Sequence, residues 1–277
     1  MVKNFLNLFN KFRFFVDSLI RLKDEDLVDD LNESVLQKIK YSYCLNLPYS
    51  KGRTIRGLGF TNEVKDPYSK IVSDLLIGKS TESLTESLFL ECKKFKNHSV
   101  YEFIDSFSDD KFKSIPLWAI VNPWESISFE ESRKLYLNSF YIKRSEHNLN
   151  FLNSSESHIE SVIYSKESAR SQVIQFNKLL KIILNNGYIE NPNDLPTAVI
   201  LVKNNKWCWI MGGSGNHRAH IRKEIGFSNI RCKILEVVEY RNLANCKNVL
   251  NGNYSLTQSK VFFDRVFKGK TPIRGPI

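Results

Sequence analysis

The spacing of hydrophobic positions changes along the chain, and each spacing predicts a different kind of element. Over residues 1–23, apolar side chains recur every three or four positions, which is typical of an amphipathic helix. Asp66–Phe107 has helical spacing too, and two or three helices are expected there. Near residue 200 the pattern changes to short apolar runs, Pro196–Lys203 and Lys206–Met211, which predict a β-hairpin. Asn229–Val238 predicts another strand, so the fold class is predicted to be α+β.

A boundary between two parts of the chain is predicted at residue 157. Asn150–Ser157 is rich in Asn and Ser, a composition typical of linkers. We therefore expect a helical N-terminal region over residues 1–157. A compact domain with a small mixed sheet and helices is expected over residues 158–277, ending in the basic tail Lys268–Ile277.

Two stretches of the N-terminal region have unusual compositions. Leu47–Gly59 combines three basic side chains with glycines and predicts a loop that is either solvated or in contact with phosphate. Ile115–Glu125 contains Trp118 and Trp124 between prolines. Because Trp is costly to expose, packing between the two regions is expected, and an aromatic platform for a base or sugar is the alternative.

The most distinctive pattern is a strand that ends at glycines and is followed at once by a helix. Trp207–Met211 is apolar and aromatic-rich, and Gly212–Gly215 interrupts it. A helix is then expected from His217 onward, with Asn216 or Ser214 as its N-cap. Such a turn places backbone N–H groups beside the positive end of the helix dipole, an arrangement that favours phosphate binding.

Arg218 and His217 lie in the first turn of that helix. Positive charge there opposes the helix dipole by about 0.3–1 kcal/mol, so a bound anion, most naturally phosphate, best explains the arrangement. The turn lacks the Gly-Lys-Ser/Thr of a Walker loop and the third glycine of a Rossmann fingerprint. The alternative is an ordinary glycine turn with two solvated side chains.

Gly215-Asn216-His217-Arg218 resembles the signature of the ParB/sulfiredoxin superfamily. ParB partition proteins carry Gly-Glu-Arg-Arg in this turn, sulfiredoxins Gly-Gly-Cys-His-Arg, and free-serine kinases Asp-Gly-His-His-Arg. Gly215 and Arg218 match all three patterns, and His217 matches the last two. The sequence around this motif also agrees with the superfamily pattern. Arg170 and Phe176 precede a predicted helix at Leu179–Leu184, and the predicted hairpin follows that helix. The resemblance covers about residues 165–238.

The resemblance implies that a nucleotide binds at the turn. The cofactor would be ATP, ADP or CTP, together with Mg²⁺ for phosphoryl transfer. His217 would donate to a phosphate oxygen and is the first catalytic candidate. Glu167 is the candidate for positioning an acceptor hydroxyl, with Glu160 as an alternative. The residues expected to bind the nucleotide are Gly213, Ser214, Gly215, Asn216, His217, Arg218 and Arg170.

This sequence differs from the superfamily pattern in two places, and two activities of that superfamily are therefore not expected. Sulfiredoxin chemistry needs a thiol where this chain has Asn216. ParB proteins carry a helix-turn-helix module after the turn, and Glu239–Ile277 is too short and irregular to hold that module and a dimerisation domain. Reduction of sulfinic acids and site-specific DNA segregation are therefore not expected.

The net charge indicates which kind of partner is expected, and the cysteine content indicates the redox environment. The 277 residues carry a formal net charge of +10, which favours polyanionic partners. Five cysteines without a C-x-x-C pair predict reduced thiols in a cytoplasmic protein.

His217 and His220 share a helix face, but no Cys or carboxylate completes a metal site by spacing. No signal peptide or membrane span is expected. The helix over residues 1–23 is expected to pack on its own domain, and the alternative is that it lies on an anionic membrane surface.

The leading hypothesis is nucleotide-dependent phosphotransfer to a small or sugar-like acceptor, or NTP hydrolysis. The first alternative is a non-catalytic module that senses a nucleotide and recruits a protein or nucleic acid. The second alternative is non-specific DNA binding through basic side chains.

Overall fold

A five-stranded mixed sheet lies at the centre of the protein, in the order β1-β5-β3-β4-β2. The strands are β1 Cys44–Pro48, β2 Gly52–Arg53, β3 Thr197–Lys203, β4 Lys206–Met211 and β5 Asn229–Glu239. The computed structural model describes residues 44–55, 57–62, 65–94, 99–103, 109–135, 164–191 and 193–270. With helices on both faces of the sheet, the chain is α+β, as predicted.

The predicted hairpin forms the middle of this sheet. β3 and β4 are antiparallel, with Lys203 opposite Lys206. Asn204 and Asn205 connect them with φ of 49° and 60°, and Asn tolerates this left-handed conformation better than most residues. β3 also pairs in parallel with β5, so β3 is hydrogen-bonded on both sides.

β2 and the last two residues of β1 lie in Leu47–Gly59, for which the sequence predicted a loop. β1 pairs antiparallel with β5, and β2 pairs in parallel with β4. The sheet thus includes chain from both sides of the predicted boundary at residue 157. The predicted linker, Asn150–Ser157, lies outside the described residues, and the boundary stays a prediction.

Arg53, one of the three basic residues of that stretch, contacts a distant helix. Its guanidinium group donates to the carbonyl oxygens of Val266 and Phe267, at 3.0 and 2.7 Å. Both carbonyls belong to the last turn of a C-terminal helix, where carbonyl groups have no partner within the helix. The half-buried side chain of Arg53 is therefore used to hold this stretch against the end of that helix.

The helices are α1 Pro67–Leu76, α2 Thr81–Lys93, α3 Val100–Phe103, α4 Lys166–Asn186, α5 Asn216–Glu224, α6 Lys247–Leu250 and α7 Leu256–Lys268. The first three confirm the helices predicted over Asp66–Phe107. α4 starts well before the predicted Leu179, because the Ser165 side chain caps it by accepting from the backbone N–H of Ser168. Arg170 and Phe176 consequently lie within the helix.

Three apolar clusters hold these elements together. Alternate residues of β3 point to opposite faces of the sheet, with Val199 and Leu201 on one face and Ala198 and Ile200 on the other. The first face is covered by Trp124 and α7, which confirms that this tryptophan is packed. The second face is covered by Tyr49 and Phe60, with Ala219 of α5, and a third cluster joins α5 to α1, α2 and α4.

The predicted amphipathic helix over residues 1–23 and the part of the predicted basic tail beyond residue 270 lie outside the described residues. In the part of the chain that is described, no helix combines the length and apolarity needed to cross a membrane.

Candidate functional site

The glycine turn between β4 and α5 is fastened to the start of β3. The backbone N–H of Gly212 donates to the Thr197 carbonyl at 2.7 Å. In return, Thr197 N–H donates to the Ser214 carbonyl, and Ser214 N–H donates to Thr197 Oγ1, both at 3.2 Å. Both ends of the turn are therefore anchored to one residue of the central strand.

Gly215 is the residue at which the turn becomes a helix. Its φ is 83°, and an added Cβ would lie 2.5 Å from Pro196 Cβ and 2.6 Å from Pro196 Cα. Both the left-handed backbone and the close approach of Pro196 require glycine here. The glycine that matches all three superfamily patterns is thus explained by local packing alone.

The predicted N-cap residues do not cap the helix. Gly215 occupies the N-cap position of α5, and no side chain hydrogen bond caps it. Asn216 is already the first helical residue, and its Oδ1 is a buried acceptor that has no hydrogen-bond partner among the described residues. The prediction was wrong because a left-handed glycine, rather than a polar side chain in extended conformation, starts this helix.

Gly213 leaves open space beside this uncapped end. It is exposed, and a Cβ added to it would have no atom within 4 Å. The first N–H groups of a helix have no partner within the helix, and they form the positive end of its dipole. The turn therefore combines an accessible backbone with a favourable potential for an anion.

His217 is held in an aromatic setting. Its ring stacks on Tyr68, with centroids 5.8 Å apart and planes at 19°, and lies 4.5 Å from the Phe176 ring. Its Nε2 is 2.8 Å from Gln172 Oε1. Since this amide oxygen only accepts, Nε2 carries the proton in that contact. The imidazole therefore connects α5 to α1 and α4.

Arg218 has an anionic partner within the chain. Its Nη2 is 3.0 Å from Asp194 Oδ1, and its Nη1 donates to the Asp194 carbonyl oxygen. The Arg218 side chain is 20% exposed and that of Asp194 is 63% exposed. The carboxylate offsets the positive charge in the first turn, so Arg218 does not by itself require a bound anion.

Among the described residues, neither Glu167 nor Arg170 forms a hydrogen bond or ion pair with the glycine turn. Both are exposed in the first turns of α4, while Gln172 is the residue of this helix that contacts His217. Residues two positions apart on a helix are separated by about 160° around its axis. The backbone of Arg170 therefore lies almost on the opposite side of α4 from that of Gln172. Their predicted roles stay predictions.

Sequence reasoning missed a buried polar cluster on the same helix. His220 is fully buried, with Nδ1 2.8 Å from Ser69 Oγ and Nε2 3.8 Å from Asp66 Oδ1. Asp66 also caps α1 by accepting from the N–H of Tyr68 at 2.9 Å. The Asp-Pro pair at residues 66–67 is a helix-start signal that sequence analysis could have used. This cluster fixes α5 against α1.

Comparisons with known proteins add nothing to this geometry, since no protein-family model, curated protein or solved structure matches the chain. Among the described residues, no group of three or more His, Cys, Asp or Glu side chains is arranged to hold a metal ion.

Substitutions at the two neighbouring glycines should separate the architecture of the turn from its open surface. Gly215→Ala should lower the free energy of unfolding by about 2–4 kcal/mol, because alanine resists φ near 83° and its methyl group would overlap Pro196. Gly213→Ala should change it by less than about 0.5 kcal/mol. Urea denaturation of both variants measures the difference, and equal effects would contradict this account of the turn.

Proposed function

We propose that the Gly212–Gly215 turn and the first turn of α5 bind the phosphate groups of a nucleotide. The observation that carries the proposal is the accessible backbone at Gly213 beside the uncapped start of a nine-residue helix. Backbone N–H groups at such a position favour phosphate through both hydrogen bonding and the helix dipole. The fastening of the turn to Thr197 supports the proposal, because a rigid turn loses little entropy on binding.

Arg218 would bind the phosphate in place of the Asp194 carboxylate, which it contacts now. The Asp194 carboxylate that it contacts is largely exposed, and exposed ion pairs contribute only about 0–1 kcal/mol. A phosphate carries more charge and forms stronger charge-assisted hydrogen bonds with a guanidinium group. Asp194 would therefore hold Arg218 in place until a nucleotide displaces its carboxylate.

Asn216 favours a ligand that offers a hydrogen-bond donor beside its phosphate groups. Its buried Oδ1 has no donor among the described residues, and such an unsatisfied acceptor costs about 1–3 kcal/mol. The phosphate oxygens of a nucleotide act as acceptors toward the N–H groups of the turn, and a ribose hydroxyl would supply the donor for Asn216. The ligand class that meets both needs is a nucleoside di- or triphosphate, with ATP, ADP and CTP as the first candidates.

Phosphotransfer to a small or sugar-like acceptor, or NTP hydrolysis, is the reaction that this site would support. His217 lies in the first turn of α5, with its Nε2 proton engaged by Gln172. His217 would act by releasing Gln172 and donating a hydrogen bond from Nε2 to a phosphate oxygen. Nucleotide turnover distinguishes an enzyme from a nucleotide sensor: phosphate release by the wild-type protein, lost in His217→Ala, supports catalysis, whereas binding without turnover supports a sensor.

An acidic side chain placed at Gly213 should block the nucleotide. Gly213→Glu is expected to weaken the binding of ATP or CTP at least about tenfold, or 1.4 kcal/mol, because its carboxylate competes for the same N–H groups. The fold should be retained, since the position is open. Isothermal titration calorimetry with ATP, ADP, CTP and GTP measures the affinities.

A matched control adds the same charge to the start of another helix. Thr257 is exposed in the first turn of α7, so Thr257→Glu should leave nucleotide affinity unchanged. If Gly213→Glu and Thr257→Glu bind equally well, the phosphate site is not at this turn. If the wild type binds none of the four nucleotides, the proposal is wrong.

Opposite effects are expected from the two members of the Arg218–Asp194 pair. Arg218→Ala should weaken nucleotide binding by about 2–4 kcal/mol, the cost of losing a charge-assisted contact. Asp194→Asn should tighten binding by up to about fivefold, because the competing surface ion pair is worth up to about 1 kcal/mol. Calorimetry on both variants measures the effects, and weaker binding in both would show that Asp194 supports the site instead of competing with its ligand.

A further inference from the structure

The sheet face that Trp124 and α7 cover is open at the end nearest the glycine turn. Val199 of β3 is buried on this face, but the same face is uncovered at the start of β3 and along the neighbouring part of β5. We call this uncovered part the open face. Its residues are Thr197, which is half-buried, and the exposed Arg231, Lys233 and Leu235.

Lys233 lies in the same row of the sheet as the first glycine of the turn. It is opposite Thr197 in the pairing of β5 with β3, and the N–H of Gly212 donates to the Thr197 carbonyl at 2.7 Å. The next pair in the ladder, Ala198 and Ile234, belongs to the cluster on the other face. Since successive side chains of a strand alternate between faces, Thr197 and Lys233 both lie on the open face. Two strand spacings, about 10 Å, separate the backbone of Lys233 from that of Gly212.

The glycine turn itself reaches the open face. The hydroxyl of Thr197 accepts from the N–H of Ser214 at 3.2 Å. Leu235 Cδ1 lies 3.2 Å from the position that a Cβ on Gly212 would take, and Gly213 is exposed. The backbone proposed to bind phosphate is therefore continuous with the surface that carries Lys233.

Lys233 has a charge that nothing in the described part of the chain uses. Two neighbouring arginines have acidic partners, since Arg218 contacts Asp194 and Arg231 Nε lies 3.3 Å from Glu190 Oε1. By contrast, Lys233 forms no hydrogen bond or ion pair among the described residues. Its ammonium group is therefore available to an anion on the open face.

One carboxylate on this side of the sheet does not neutralise Lys233. Glu236 is opposite Val199, two positions beyond Thr197 in β3, so it lies further from the turn than Lys233. No ion pair joins Glu236 to a cation among the described residues. Burial raises the pKa of the Glu236 carboxyl, and the nearby charge of Glu125 raises it further. Both shifts have the direction expected when no cation stabilises the carboxylate.

We infer that Lys233 binds the terminal phosphate of a nucleoside triphosphate whose inner phosphates lie on the glycine turn. The inference rests on the proposed nucleotide site and narrows its ligand from a di- or triphosphate to a triphosphate. Lysine suits this role because its ammonium group is a compact charge on a flexible four-carbon stem. The phosphates of a diphosphate would end at the turn, whereas a third phosphate would extend over the open face toward Lys233.

Calorimetry with ATP and ADP tests the inference. The titrations are carried out with EDTA present, so that no divalent metal ion neutralises the phosphates. The wild type should bind ATP at least about tenfold more tightly than ADP. Lys233→Gln should weaken ATP binding about tenfold and leave the Kd for ADP within about twofold, because only the third phosphate loses its partner.

Three further variants separate a specific contact from a general effect of charge. Lys233→Arg keeps the cation and should keep the preference for ATP. Lys206→Gln removes the same charge from an exposed position at the other end of β4, about 20 Å along the strand from Gly212, and should leave both affinities unchanged. Gly213→Glu should weaken both nucleotides, since it blocks the turn itself. Thermal melts of each variant check that the fold is retained.

Two outcomes would overturn the inference and leave nucleotide binding at the turn intact. One is equal affinity of the wild type for ATP and ADP. The other is a Lys233→Gln variant that is folded and keeps the full preference for ATP, or that loses affinity for both nucleotides equally. Absence of binding of either nucleotide to the wild type would overturn the proposed site, and this inference with it.

Discussion

The attachment of the glycine turn to Thr197 is the constraint on which the candidate site depends. Thr197 begins β3, which is paired on both sides and buried. Its backbone and hydroxyl form three hydrogen bonds to Gly212 and Ser214. The start of α5 is thereby placed at a defined point of the sheet. The close packing of Gly215 on Pro196 then sets the direction in which the helix leaves.

The rest of α5 is fixed by contacts on its buried side. His220 joins Ser69, and Ile221 packs into the cluster formed by α1, α2 and α4. The hydroxyl of Tyr49, which follows β1, donates to the Ala219 carbonyl at 2.8 Å. A helix held so firmly keeps its N-terminus in one place, and preorganised N–H groups bind an anion without a cost of rearrangement.

Local patterns in the sequence predicted much of this region. Short apolar runs located the hairpin, and the glycines located the turn and the start of α5 to within one residue. The capping box of α7, in which Ser255 and Gln258 bond reciprocally, was also visible in the sequence, yet the stretch was judged irregular. That error came from overlooking a local signal and not from missing information.

Other features could not be predicted because they depend on residues far apart in the chain. Arg218 pairs with Asp194, and Arg53 reaches the last turn of α7 more than two hundred residues away. A cation in a sequence pattern does not reveal whether its partner is a carboxylate, a carbonyl group or a ligand. The inference from charge alone that Arg218 requires an anion was therefore too strong, and the open backbone at Gly213 is the better support.

The most direct test of nucleotide binding at the glycine turn is a titration of ¹⁵N-labelled protein with ATP, followed by the chemical shifts of its backbone amides. The proposal predicts the largest shifts at Gly213, Ser214, Gly215 and Asn216, with saturation as the nucleotide concentration rises. Saturating shifts that cluster elsewhere and leave these four amides unchanged would contradict it.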